Sequence, residues 1–277
     1  MNTDDKNSVK LKKAERKIRI LEDMVESRTR NLYAANLNLK KRNDSLREVI
    51  LRNEELEQFA YVASHDLQEP LITIISFIDL LGEEYGDKLG EVGKQYLDFI
   101  SESSSGLSSV VEDLLDYSKL GKHHEMTKVD CNELVEAIQR DLTSTISKSK
   151  ATFAVGELPE ITGFKTELRL LFQNLISNAI KFCAEDTPPH IIITAEKGTN
   201  WTFSIQDNGI GIAKGNQEKI FTIFQRLHSK NDYEGTGIGL AQCKKIINLH
   251  GGEIWINSKQ DLGSTFCFSI PFYEHEK

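Results

Sequence analysis

The first third of the chain carries apolar residues on a seven-residue spacing and has no proline before Pro70. Leu11, Ile18, Val25, Leu32, Leu39 and Leu46 occupy one position of the repeat, and Ala14, Leu21, Ala35, Val49 and Leu56 the other. A lone helix with such a stripe would expose it to water, so the spacing predicts a parallel, two-stranded coiled coil. Arg28, Arg42 and Asn53 interrupt the seam. Polar seam residues cost stability but can set register and strand number.

The same phase continues through Ala60, Ala63, Leu67, Ile74, Phe77 and Leu81. It puts His65 at the heptad position farthest from the seam, with Asp66 beside it. A solvent-facing imidazole next to a carboxylate is either an ordinary surface residue or a nucleophile, and only the rest of the chain separates the two. Pro70 removes a backbone hydrogen bond and predicts a kink just after His65. Gly82, Gly86, Gly90 and Gly93 mark a turn, and a second helix follows with Tyr96, Ile100, Ser103, Leu107, Val110, Leu114 and Tyr117 along one stripe. Two chains would then supply four helices to a bundle.

After the polar linker 121–127 the pattern changes. Helices are expected at 132–147, 166–182 and 239–249, and strands at 152–155, 191–197, 201–206, 253–257 and 265–270. Trp201, Phe203 and Ile205 alternate with Thr202, Ser204 and Gln206, as in a half-buried strand. Helices on one face of a mixed sheet make an α/β sandwich. The net charge of −8, with Lys and Arg scattered, argues against a nucleic-acid groove. No apolar run reaches the roughly 18 residues of a membrane-spanning helix. The polar N-terminus lacks a signal-peptide core. Cys131, Cys183, Cys243 and Cys267 are widely spaced without a metal-ligand pattern, which predicts reduced, mostly buried thiols and a cytoplasmic protein.

Three blocks in this second region can carry chemistry. Asn174, Asn178 and Lys181 lie on one face of a helix whose other stripe is Leu171, Leu175, Ala179 and Phe182. The face is either solvated surface or a site, and asparagines are poor choices for a merely solvated helix. Amide oxygens suit Mg²⁺, which binds alongside phosphate oxygens, and a lysine supplies a point charge for those phosphates. Asp207-Asn208-Gly209-Ile210-Gly211 follows a strand and reads either as a hairpin turn or as an adenine site. In the second reading the Asp207 carboxylate accepts from the exocyclic amine, while Gly209 and Gly211 let the backbone approach the ring. Gly235, Gly237 and Gly239 open a helix, where free N–H groups and the helix dipole favour phosphate. This is neither a P-loop nor a dinucleotide fingerprint. Residues 226–234 would form a mobile lid, with Phe221 and Phe224 as packing residues at its base.

In order and spacing these blocks resemble the sensor histidine kinases of two-component signalling, over about residues 58–272. His65 and its flanks are similar to the phosphoacceptor block of the phytochrome-like branch, residues 174–182 to the asparagine block, and 207–211 and 235–239 to the two glycine blocks. Phe221 to Phe224 is similar to the phenylalanine block between them. The resemblance implies a coiled-coil signalling helix (1–57), a dimerisation and phosphotransfer hairpin (58–122) and a Bergerat-type ATP-binding α/β sandwich (123–277). It implies ATP and Mg²⁺, a homodimer, and a response regulator receiver domain as partner. Carried over, His65 would be the phosphoacceptor and Asp66 its tautomer-setting acceptor. Asn174 and Asn178 would hold Mg²⁺. Lys181, Phe182, Asp207, Gly209, Gly211, Arg226, Gly235, Thr236, Gly237, Gly239 and Leu240 would complete the nucleotide site with them.

Two departures qualify the expectation. Glu69 stands where many relatives carry a Thr or Asn that helps dephosphorylate the response regulator, so kinase chemistry is expected without that route. No sensor domain precedes the heptads. Input is expected through the helix or from a partner, or the sequence is a piece of a longer chain. Two other functions use the same nucleotide blocks. A gyrase- or Hsp90-like clamp would not need the His65 block, and a non-catalytic scaffold would not need intact Asn174, Asn178 and Asp207.

Overall fold

The computed structural model describes residues 3–121, 125–184, 187–227, 233 and 235–272. Contacts divide the chain into two units, Met1–Phe59 and Ala60–Lys277. The first helix, α1, runs Thr3–Tyr85. In the first unit, Leu21, Val25, Leu32, Leu39, Leu46 and Val49 are between 58% and 66% exposed, so the heptad stripe is uncovered in a single chain. The side chains of Leu11, Ala14, Ile18, Asn53, Leu56 and Ala60 lie outside those described.

In the second unit, the remainder of α1 is followed by α2 (Gly90–Lys119). Helix α1 continues through Pro70. Leu71 and Ile78 of α1 and Val111 and Leu115 of α2 are buried. The residues that continue the heptad phase, Leu67, Ile74, Phe77 and Leu81, are exposed instead. On α2 the buried positions Ser104, Val111, Leu115 and Ser118 lie one residue beyond Ser103, Val110, Leu114 and Tyr117 of the expected stripe. Helix α1 therefore has a covered and an open apolar stripe, while on α2 Tyr96, Ile100 and Leu107 are open and Val110, Leu114 and Tyr117 are half-buried.

The α/β region contains β1 (Thr127–Asp130), α3 (Cys131–Asp141), α4 (Thr143–Ser149), β2 (Thr152–Val155) and β3 (Glu160–Gly163). These are followed by α5 (Lys165–Lys181), β4 (His190–Lys197), β5 (Asn200–Gln206), α6 (Gly239–Leu249), β6 (Ile254–Ser258) and β7 (Ser264–Pro271). Strand β1 begins at Thr127, so the expected linker ends earlier, and its residues 122–124 lie outside those described. The expected helix 132–147 is two helices, broken at Leu142. Thr143 Oγ1 donates to the Arg140 carbonyl at 2.6 Å, a local bond that competes with helix continuation. Asp130 caps α3 by accepting from the Asn132 and Glu133 N–H groups. Strands β1 and β3 escape sequence reading because each carries a single large apolar residue, Val129 or Ile161, whereas the equally short β2 has Phe153, Ala154 and Val155.

The main sheet has five strands in the order β2-β4-β5-β7-β6. Only β2 and β4 run parallel. Its core face packs under α3, α5 and α6 through Ile138, Leu171, Phe172, Leu175, Ile246 and Ile247. Phe172 of α5 meets Phe203 and Phe268 edge-on at 5.6 and 5.4 Å, and those two rings stack at 4.9 Å. This aromatic trio seats α5 on β5 and β7 and so sets where its asparagines emerge. Cys131, Cys243 and Cys267 are buried and all four cysteines are free. Burial pushes the Cys131 thiol up to about 12. No described helix is long and apolar enough to cross a membrane.

Candidate functional site

His65 lies on the outer side of α1 with its imidazole exposed. Its Nδ1 is 3.5 Å from Asp66 Oδ1, a long contact at the limit of a hydrogen bond. Helical geometry sets neighbouring side chains about 100° apart, which is why this pair only just meets. Ser64, on the other side of His65, is fully buried. Glu69 is exposed.

The asparagine face forms at the C-terminal half of α5. Asn174 Nδ2 donates to the Gly239 carbonyl at 3.3 Å and to Gln242 Oε1 at 3.0 Å. Asn178 is half-buried one turn on. Lys181 Nζ lies 4.5 Å from the Phe182 ring centroid, and a Cβ on Gly235 would meet it at 2.8 Å. Phe182 departs from the expected core stripe. It caps α5 and is only half-buried, because the helix ends there. Its carbonyl accepts from Ile210 N–H at 3.0 Å, and its ring tilts against Tyr233 at 5.0 Å.

Asp207 is buried, and its Oδ1 accepts from the N–H groups of Gly209 at 2.9 Å and Ser264 at 3.0 Å. Burial pushes its carboxyl above the usual range, against the pull of those two hydrogen bonds. The Asn208-Gly209 pair is not a hairpin turn. Asn208 instead ties the start of β4, with Oδ1 accepting from His190 N–H at 2.7 Å and Nδ2 donating to the Pro188 carbonyl at 3.0 Å. A Cβ on Gly209 would lie 2.2 Å from the Phe182 carbonyl oxygen. On Gly211, with φ +65°, it would lie 2.1 Å from that of Lys259. Both positions are therefore closed to side chains.

Gly235 and Gly237 have positive φ, and Gly239 is the first residue of α6. Leu240 packs partly into the core beneath this end. Arg226 Nη2 donates to the Tyr233 carbonyl at 2.8 Å, and its stem borders Gly237. Residues 228–232 and 234 of the expected lid lie outside those described. Phe221 packs against the core, but Phe224 does not: it is 55% exposed with φ +63°. Its N–H donates to the Gly237 carbonyl at 3.1 Å, which holds it in that turn.

Two polar residues at this site, Asp113 and Gln242, escaped sequence reading. Thr236 Oγ1 donates to Asp113 Oδ2 of α2 at 2.5 Å. Gln242, on α6 and buried, donates from Nε2 to the Asp113 carbonyl at 3.3 Å. Lys245 Nζ also reaches α2, donating to the Tyr117 carbonyl at 3.0 Å. The one available signal was Gln242 itself, a polar residue between Ala241 and Cys243. Thus Asn174, Lys181, Phe182, Arg226 and the 235–239 glycines gather around the start of α6, with Asp207, Gly209 and Gly211 joined through Phe182. The described polar partner of His65 is Asp66.

Fold and site together define a helical hairpin bearing an exposed histidine, packed on an α/β sandwich whose asparagine helix meets the glycine turn that opens α6. The family model for the His Kinase A (phospho-acceptor) domain matches residues 55–123. The model for the histidine kinase-, DNA gyrase B- and HSP90-like ATPase matches 163–274. The chain belongs to the sensor histidine kinases. It is 42% identical to the phytochrome-like protein Cph1 of Synechocystis over 79% of this chain and 29% of that protein. Full-length ShkA in complex with AMPPNP superposes with a TM-score of 0.61 at 25% identity, covering 78% of this chain and 46% of that one. Histidine kinase ThkA in complex with response regulator protein TrrA gives a TM-score of 0.55 at 28% identity, covering 80% and 63%.

Proposed function

We propose that this chain is the phosphotransfer and catalytic portion of an ATP-dependent protein histidine kinase. It autophosphorylates His65 and passes the phosphoryl group to an aspartate of a response regulator. The observation that carries this reading is the presence, in one chain, of the exposed His65, whose Nδ1 faces Asp66, and of the cluster around Asn174, Arg226 and the glycine turn at the start of α6, with Asp207 buried beyond Phe182. With Nδ1 as the protonated nitrogen, Nε2 keeps the lone pair that attacks phosphorus. The new N–P bond forms as the bond to the departing ADP oxygen breaks, and the ring sheds one proton. Such transfers depend mainly on positioning and charge neutralisation.

The residues present fit a magnesium nucleotide. Gly209 and Gly211 let the loop after β5 pack directly on the Phe182 and Lys259 carbonyls, and Asp207 Oδ1 is pinned by two backbone N–H groups, which leaves the other carboxylate oxygen to receive adenine's amine. Asn174 and Asn178 would hold Mg²⁺, which would neutralise phosphate charge. Lys181, Arg226, Thr236 and the N–H groups of Gly235, Gly237 and Gly239 would address the phosphates. Phe182 and Leu240 would wall the cleft. We assign 1–57 to a signalling coiled coil, 58–122 to the phosphotransfer hairpin and 123–277 to the catalytic domain. The uncovered stripes of α1 and α2 would be closed by a second copy, giving a parallel coiled coil and a four-helix bundle. A cytoplasmic site of action fits free thiols. Incubation with γ-labelled ATP and Mg²⁺ tests the reading. Acid-labile, alkali-stable label is expected, and its persistence in His65→Gln would overturn the assignment.

A further inference from the structure

We infer that Gln242 is a positioning residue that sets which end of the Asn174 amide faces a bound cation, and that it takes its own orientation from hairpin helix α2. The inference rests on the magnesium-nucleotide reading above and concerns a residue outside the site set proposed there.

The geometry runs through two amides and is anchored at both ends by main-chain carbonyls. Gln242 is buried, so both ends of its amide need partners. Its Nε2 donates to the Asp113 carbonyl at 3.3 Å. A carbonyl accepts and cannot donate, so this contact forces Oε1 to the opposite side. There Oε1 accepts from Asn174 Nδ2 at 3.0 Å. The same Nδ2 donates to the Gly239 carbonyl at 3.3 Å, a second acceptor that cannot reverse its role. Both amides are therefore fixed against a flip, and Asn174 Oδ1 is the end left for a cation. Without Gln242, Nδ2 would lose its shortest acceptor contact, and an amide turned the other way would present donors to a positive charge. Thr236 Oγ1 on Asp113 Oδ2 runs parallel to this relay, so α2 touches both the phosphate loop and the metal-facing amide. Outer partners of metal ligands commonly change metal affinity by about 10- to 100-fold.

Calorimetric titration of the full chain with ADP, once in excess Mg²⁺ and once in EDTA, reads the effect. The relevant quantity is the ratio of the two dissociation constants, which a general loss of packing would not selectively move. Gln242→Met removes both hydrogen bonds at similar volume. It should shrink the magnesium-dependent gain roughly tenfold and leave affinity in EDTA within about twofold of wild type. Gln242→Glu offers Asn174 an acceptor oxygen in every orientation and should keep the gain, even though it loses the donor to α2. In the apo chain the Asn174 side-chain amide resonances should shift in the Met variant. An unchanged magnesium gain in Gln242→Met, or its loss in Gln242→Glu with a native melting transition, overturns the inference alone. A wild-type chain that binds no ADP overturns the nucleotide reading beneath it.

Discussion

Thr236 and Asp113 lie 123 residues apart in sequence, yet Thr236 Oγ1 donates to Asp113 Oδ2 at 2.5 Å. The same hydroxyl accepts from Ile238 N–H at 3.3 Å, so one side chain links the hairpin to the turn that opens α6. Burial pushes the Asp113 carboxyl above its ordinary value of 3.8, the Thr236 bond opposes that, and the charges of Asp116 and Glu112 add to it.

Removing this link should loosen the turn. Asp113→Ala is expected to speed amide hydrogen exchange at Ile238 roughly fivefold, for a lost bond of about 1 kcal/mol. Asp113→Asn keeps an acceptor and should leave exchange near the wild-type rate. A carboxyl raised in the fold contributes stability that is complete below 3.8 and is lost as pH rises through the folded value. Asp113→Asn should therefore gain stability relative to wild type at neutral pH and lose that advantage in acid, as melting curves at both would record.

Asp207→Asn separates recognition from folding. The Asn oxygen can accept from Gly209 and Ser264, while its nitrogen would meet adenine's amine as donor against donor. Nucleotide affinity should fall by about 1.5–3 kcal/mol, roughly 10- to 100-fold. Because burial of the ionised group is the largest influence on Asp207, the melting temperature at neutral pH should hold or rise. Calorimetry and a thermal scan on the same sample check both.

His250 is a structural histidine with an acid liability. Its Nε2 accepts from Phe164 N–H at 3.0 Å and its Nδ1 faces the Ile246 carbonyl at 2.8 Å, so the end of α6 is pinned to the start of α5 by a neutral ring. Burial holds its pKa below the ordinary 6.5, with Ile246 and Glu167 opposing. A depressed pKa contributes stability above 6.5 that is lost as pH falls through the folded value. His250→Gln can still accept from Phe164 but cannot titrate. Its melting temperature should start lower at neutral pH and decline less than wild type on acidification.

Two glycines of the expected nucleotide blocks should resist Ala for different reasons. At Gly211 the new Cβ meets the Lys259 carbonyl at 2.1 Å with φ at +65°, so Gly211→Ala should cost at least about 2 kcal/mol, seen as a lowered denaturant midpoint. At Gly235 the contact within reach is the flexible Lys181 ammonium. The Gly235 φ of +139° strains any L residue, so Gly235→Ala should lose stability through the backbone alone and lower nucleotide affinity as well.

Much of this protein was legible in sequence because its signals are periodic or local. The heptads, the 239–249 helix, the Trp201–Phe203–Ile205 alternation and the glycine blocks each declare themselves within a few turns. The break at Leu142 was not legible, since it depends on a threonine hydroxyl choosing a carbonyl. Strands β1 and β3, each with one large apolar residue, carried no pattern to read. Phe224 and Phe182 misled because an aromatic residue in an apolar run reads as core. The chain instead turns at φ +63° in one case and leaves the helix in the other.

Sequence by itself determined the apolar stripe of α1, the outward face of His65 and the sharing of one face by Asn174, Asn178 and Lys181, because helical repeat alone places residues around an axis. Tertiary structure decided what those faces meet. It decided that α2, through Asp113, reaches the start of α6, that Gln242 sorts the Asn174 amide, and that Asn208 ties a strand instead of making a hairpin. Such contacts join residues far apart in the chain, and their energies arise from burial and hydrogen-bond geometry that no local pattern encodes.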